Sequence, residues 1–163
     1  MSYNATLVYD ASLIREAAFC FWRRTVGWLF LVALSLVTVS LFASLMKGDR
    51  SWLVGVLGSV LVLGCGFVIA IFVVHYRNAM SKFQKMRSHT ATFVATETTL
   101  ALSSDLGSST LPWSAVTEVW RCKRVWLLLF SKAQFVTLPL AALSPELQGF
   151  VLKQVQLHGG KVT

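Results

Sequence analysis

The sequence predicts an α+β membrane protein: a two-helix transmembrane hairpin joined to a small antiparallel β domain that ends in a helix. Three observations predict it. Two uncharged apolar runs of membrane-crossing length stand side by side, short β-rich segments with turn signals follow them, and an amphipathic helical pattern closes the chain. Composition agrees. The 163 residues carry a net charge of +8 yet only 13% are charged, against about a quarter in an ordinary soluble domain.

The first run, residues 26–46, reads VGWLFLVALSLVTVSLFASLM, and the second, residues 52–74, reads WLVGVLGSVLVLGCGFVIAIFVV. A helix needs about 20 apolar residues to cross the hydrocarbon core, and both runs meet that length. The first run follows a segment with acids as well as bases and exceeds the roughly 7–15 residues of a signal-peptide core, so it is expected to be retained. Only residues 47–51, KGDRS, separate the runs, which makes the two helices antiparallel neighbours. Helices in lipid associate by close packing of small residues. Gly55 with Ser59, and Gly66 with Ala70, are the expected packing positions of the second helix within the hairpin, and Ser40 with Ser44 make a similar pair on the first; dimerisation through these faces is the second reading.

Basic residues near membrane spans favour the cytosolic side. Arg15, Arg23 and Arg24 precede the first run, Arg77, Lys82, Lys85 and Arg87 follow the second, and the link holds Lys47 and Arg50. The expected topology is a multi-pass protein of the plasma (inner) membrane with both termini in the cytosol. Trp28 and Trp52 fall near opposite interfaces, where indoles anchor.

Residues 1–25 lead into the membrane. Ala5, Leu7 and Tyr9 alternate as on a short strand, and Asp10 is placed to N-cap a helix whose Leu13, Ala17, Cys20 and Phe21 share a face. Residues 75–89 read as a basic helical stalk, with Tyr76, Ala79, Met80, Phe83 and Met86 at helical spacing. Arg23, Arg24, Arg77, Lys82, Lys85 and Arg87 form the membrane-surface basic set. Its plain explanation is the topology signal; its functional reading is contact with anionic lipid head groups, worth about 1 kcal/mol per basic residue. The adjacent membrane accounts for these charges, so no nucleic-acid partner is expected.

Residues 90–163 change pattern. TATFVAT, LALSS, STLP and the segments 117–123, 125–131 and 134–138 read as about six short strands joined by tight turns, with DLGS at 105–108 and Lys132–Ala133 as turn positions. Ser144, Pro145 and Glu146 begin a helix as N-cap, first residue and dipole partner. Leu147, Phe150, Val151 and Val155 form its apolar stripe. Strands followed by one closing helix are the plan of a pleckstrin-homology-like (PH-like) domain.

Here the chain resembles the YcxB-like membrane proteins. The resembling stretches are TATFVAT, LALSS, DLGS, LPWSAVTEV with Trp113, VWLLLF, FVTLP and, near the N-terminus, LVYDASLIREAA. The resemblance implies two membrane helices and a cytosolic PH-like domain. It leads one to expect a base after FVTLP, where this chain has Leu140.

Candidate chemistry is sparse. His75, His89 and His158 are scattered, the four acids of residues 90–163 (Glu97, Asp105, Glu118, Glu146) share no pairing, and Cys20, Cys65 and Cys122 give no zinc spacing. No enzyme, cofactor or metal is expected. One cluster stands out: Trp120, Arg121, Lys123, Arg124 and Trp126. Alternation puts Trp120 on one face and Arg121 and Lys123 on the other. Tryptophans filling a small core beside a solvated basic turn is the plain account. The functional account is an aromatic, basic surface for anionic lipid or a protein partner. The expected function is a non-catalytic, membrane-anchored binding or scaffold protein. The alternative is an immunity protein that neutralises a membrane-acting toxin or secretion-system effector.

Overall fold

The computed structural model describes residues 2–131 and 134–163, so the turn expected at Lys132–Ala133 lies outside the described residues. The chain is α+β, with four α-helices and two sheets among the described residues. It divides into two compact units, one of residues 18–77 and one that joins the N-terminal segment through Ala17 to Asn78–Thr163.

The helical unit follows the apolar pattern. Helix α1 spans Ala11–Val26, α2 spans Trp28–Met46 and α3 spans Trp52–Lys85. Gly27 separates α1 from α2 at φ 73°, a left-handed conformation that costs glycine little. The second and third helices are long and apolar enough to cross a membrane. Their half-shielded positions recur at three- and four-residue intervals: Leu31, Leu34, Val37, Leu41 and Ser44 on α2, and Leu57, Leu61, Gly64, Val68 and Ile71 on α3. That is the seam spacing of helices packed nearly antiparallel with a left-handed twist. The helices pack closely at Gly64, where an added Cβ would lie 2.7 Å from Leu34 Cδ1. Phe30 meets Phe67 edge-on at 6.1 Å. The indole of Trp22 donates to the Val68 carbonyl oxygen at 2.9 Å.

The packing face differs from the one the small-residue spacing suggested. A Cβ at Gly55 or Gly66 would meet nothing within 4 Å, and Ser59 and Ala70 are exposed. At about 3.6 residues per turn, Gly55 stands half a turn from Gly64. A four-residue interval shows that two residues share a face, but not which face meets the neighbour. The Ser59 hydroxyl turns back to its own helix and donates to the Gly55 carbonyl at 2.9 Å.

The β-rich unit begins before the helices. Strand β1, Tyr3–Val8, pairs antiparallel with β2, Thr90–Ala95, from Tyr3 opposite Ala95 to Val8 opposite Thr90. Strands β3 (Thr99–Ser104) and β4 (Gly107–Pro112) extend the sheet in the order β1-β2-β3-β4. The second sheet holds β5 (Glu118–Arg121), β6 (Val125–Leu129), β7 (Phe135–Pro139) and the two-residue β8 (Lys161–Val162), in the order β7-β6-β5-β8. Helix α4, Pro145–Leu157, starts as its sequence requires, with the Ser144 hydroxyl accepting from the Leu147 N–H at 3.2 Å.

The core joins both sheets and α4: Leu7, Phe93, Leu100, Trp113, Val119, Leu128, Leu138, Leu147, Val151 and Val155 are buried together. Trp113 is fully buried, and its indole donates to the Thr96 carbonyl at 2.8 Å, so its one polar atom is satisfied. Every residue of β6 is buried, as a central strand covered on both faces requires.

Two substitutions test the helix packing. Gly64→Leu forces Leu34 aside and is expected to destabilise the hairpin by about 1–3 kcal/mol, whereas Gly55→Leu should leave stability unchanged. Thermal unfolding of the two variants in the same detergent measures the difference.

Candidate interaction surface

The aromatic, basic cluster separates into parts with different surroundings. Trp126 is 3% exposed and belongs to the core. Arg121 is exposed at the end of β5, with its guanidinium carbon 5.9 Å from the Trp126 ring centre. That is a cation–π contact at the edge of the core. Trp120 is half-buried, and its indole N–H donates to the Glu118 carboxylate. Lys123 is exposed in the β5–β6 turn.

Arg124 has a structural task. Its backbone N–H donates to the Glu16 carboxylate at 2.8 Å, its guanidinium donates to the Ser12 hydroxyl at 3.1 Å, and it lies 3.8 Å from the Asp10 carboxylate. The first two turns of α1 therefore clasp the β5–β6 turn from 108 residues away in sequence. Asp10 also caps α1, accepting from the Leu13 N–H at 2.7 Å. The Ser12 hydroxyl, then the Leu13 N–H, and last the Arg124 charge hold its carboxyl below the usual range. Sequence reasoning found the cap but missed the clasp. Ser12 and Glu16 look like ordinary helix-surface residues, and nothing local announces a partner so distant.

Arg23, Arg24 and Arg77 are exposed in the helical unit, and Lys82, Lys85 and Arg87 are exposed in the β-rich unit. The backbone N–H groups of Arg87 and Ser88 both donate to the Asp105 carboxylate. The segment between α3 and β2 is thereby tied to the β3–β4 turn. Tyr9 makes another tie, partly buried: its hydroxyl donates to the Thr137 carbonyl at 2.9 Å, and burial pushes its pKa up. An open groove of about 490 Å³ runs beside α4, with Glu97, Glu146 and Lys153 at its rim. Among the described residues no three His, Cys, Asp or Glu side chains gather as a metal site.

Residues 95–155, from the last residue of β2 through most of α4, match the YcxB family, described as YcxB-like protein. This segment is YcxB-like. The match takes in LALSS, DLGS, LPWSAVTEV, VWLLLF and FVTLP, and it leaves out the N-terminal LVYDASLIREAA and all but the last two residues of TATFVAT. No curated protein and no solved structure matches the chain. Within the YcxB-like segment Leu140, which stands where a base was expected, packs against the core and donates its backbone N–H to the Arg124 carbonyl at 2.9 Å.

The surface makes two predictions. Arg124→Ala keeps the backbone N–H bond to Glu16 but loses the guanidinium contacts to Ser12 and Asp10, and should lower stability by about 1 kcal/mol, while Arg121→Ala and Lys123→Ala should stay within about 0.5 kcal/mol of the parent; chemical denaturation measures all three. Asp10 has a depressed folded pKa. Its stabilising contribution is present above the ordinary carboxylate pKa of about 4 and is lost as pH falls through the lowered value. Asp10→Asn keeps a capping side chain but removes the titration, so melts between pH 2 and about pH 5 should show a shallower loss of stability on the acid side than in the parent.

Proposed function

We propose that this chain is a non-catalytic, membrane-anchored binding or scaffold protein that presents a PH-like domain in the cytosol. The carrying observation is the pairing of β1 with β2, because these strands lie before and after the two apolar helices.

The apolar helices support membrane insertion by their exposure. Their best windows have mean hydropathies of 2.4 and 2.7, and none of either window is buried. A core helix of a soluble protein covers such a surface with protein. Here Leu36 is 63% exposed and Leu63 is 74% exposed, and a lipid environment supplies the missing contacts. Each helix satisfies its own backbone, as a membrane span must.

Strand pairing supports the topology. A strand preceding the first span can pair with one following the second only if both lie on the same side of the membrane. The excess of Lys and Arg on the flanks, seven against two in the link, favours the cytosolic side. Two sheets with a C-terminal helix over a shared core fit the PH-like plan, and the YcxB-like match covers most of that region. The exposed Arg121 and Lys123 supply the surface for an acidic protein partner, and the exposed basic residues that flank the spans suit anionic lipid.

The experiment is a native-membrane pull-down of the full chain with two-sided reporters. Reporters fused at either terminus should read as cytosolic and one inserted at residues 47–51 as external. A protein partner recovered with the parent should be lost with Arg121→Glu/Lys123→Glu. An external readout at either terminus overturns the topology, and recovery of the same partner with the charge-reversed variant overturns the surface assignment.

A further inference from the structure

The first sheet ends on β4, and among the described residues no strand pairs with its outer edge. Natural sheet edges are blunted by charge, proline, bulges or a covering segment. β4 reads GSSTLP. It carries no charge, its residues 107–110 are all exposed, and its one proline stands at the far end.

Register decides which backbone groups face outward. The β3–β4 hairpin closes with Ser104 opposite Gly107. The closing pair of a two-residue loop is hydrogen-bonded, and bonded and non-bonded pairs alternate from there. Gly107, Ser109 and Leu111 thus turn their backbone groups toward β3, while Ser108, Thr110 and Pro112 turn theirs away. Among the described residues no backbone hydrogen bond reaches the outward groups of Ser108 and Thr110.

We propose that this edge joins two copies of the chain, β4 against β4, antiparallel about a two-fold axis at Ser109. In that register Ser108 of one copy lies opposite Thr110 of the other, and the reverse. Each of these residues offers one N–H and one C=O, so all the outward groups of both residues find partners. Pro112, which has no N–H, falls opposite the turn residue Leu106 of the second copy. Leu106 is 52% exposed, so each end of the ladder closes on an apolar contact.

A second copy is the occupant that charge favours. The chain carries +8 and β4 itself holds no charged residue, so two copies that meet at this edge bring no like charges together there. The ladder is short, and its occupancy rests on the membrane-anchored reading, since confinement in one bilayer raises the effective concentration of neighbours.

The test is cross-linking of the full chain in liposomes, in a Cys65→Ala background because Cys65 is a free, exposed thiol. Ser109→Cys would face itself across a non-hydrogen-bonded pair with Cα atoms about 4.5 Å apart, within disulfide range. Mild oxidation should yield covalent dimer at least several-fold faster than with Thr92→Cys, an exposed site on the interior strand β2. Thr110→Pro removes an outward N–H without touching the β3 ladder and should bring cross-linking down to the Thr92→Cys rate. Ser108→Lys/Thr110→Lys places like charges directly opposite and should do the same if the proline variant does not fold. Dimer formation by Ser109→Cys no faster than by Thr92→Cys, or cross-linking that survives the edge changes in a folded chain, overturns the proposal.

Discussion

The antiparallel pairing of Tyr3–Val8 with Thr90–Ala95 is the constraint on which the rest of the structure depends. It joins segments separated by the whole helical hairpin. Its neighbourhood is fastened at several points. The Tyr9 N–H donates to the His89 carbonyl at 2.9 Å, and the Tyr9 hydroxyl reaches β7 at Thr137. Asp10 starts α1 immediately after β1, and Asp105 gathers the backbone immediately before β2. The chain is therefore pinned where it leaves the sheet and where it returns.

This constraint carries an entropic cost. Bringing β1 to β2 closes a loop of about 80 residues, and the entropic cost of closure grows only slowly with length. A preformed helical hairpin shortens the effective loop further, because its own ends lie together. Contacts such as Leu34 with Gly64 and Phe30 with Phe67 bring the chain back on itself within the hairpin. Burial of Leu7 beside Phe93 and Leu100 then rewards the closure.

Much of the fold was legible because it follows from local rules. Apolar runs gave both long helices, alternation gave the strand at Ala5–Tyr9, and Ser144-Pro145-Glu146 gave the start of α4. What pairs with what was not local. The strand at Tyr3–Val8 was read without its partner, and β8 is two residues long and leaves no pattern of its own. The packing glycine was Gly64 rather than Gly55 or Gly66 because the face of a helix is set by its neighbour, which spacing alone does not reveal. The candidate surface was legible as a composition, a knot of Trp and basic residues, and the structure sorted it: Trp126 inward, Arg124 into the α1 clasp, Arg121 and Lys123 outward. Residue type suggested a surface; burial and register decided which members belong to it.

The most direct measurement is a disulfide between β1 and β2 in the intact chain. Thr6 and Thr92 are exposed and stand opposite each other. With both replaced by cysteine in a Cys65→Ala chain held in membranes, mild oxidation should give an intramolecular Thr6→Cys/Thr92→Cys cross-link, identified by mass spectrometry of the linked peptides. Thiols at 6 and 92 that stay separately reactive under the same conditions would contradict the account, because the two flanks of the hairpin would then not form one sheet.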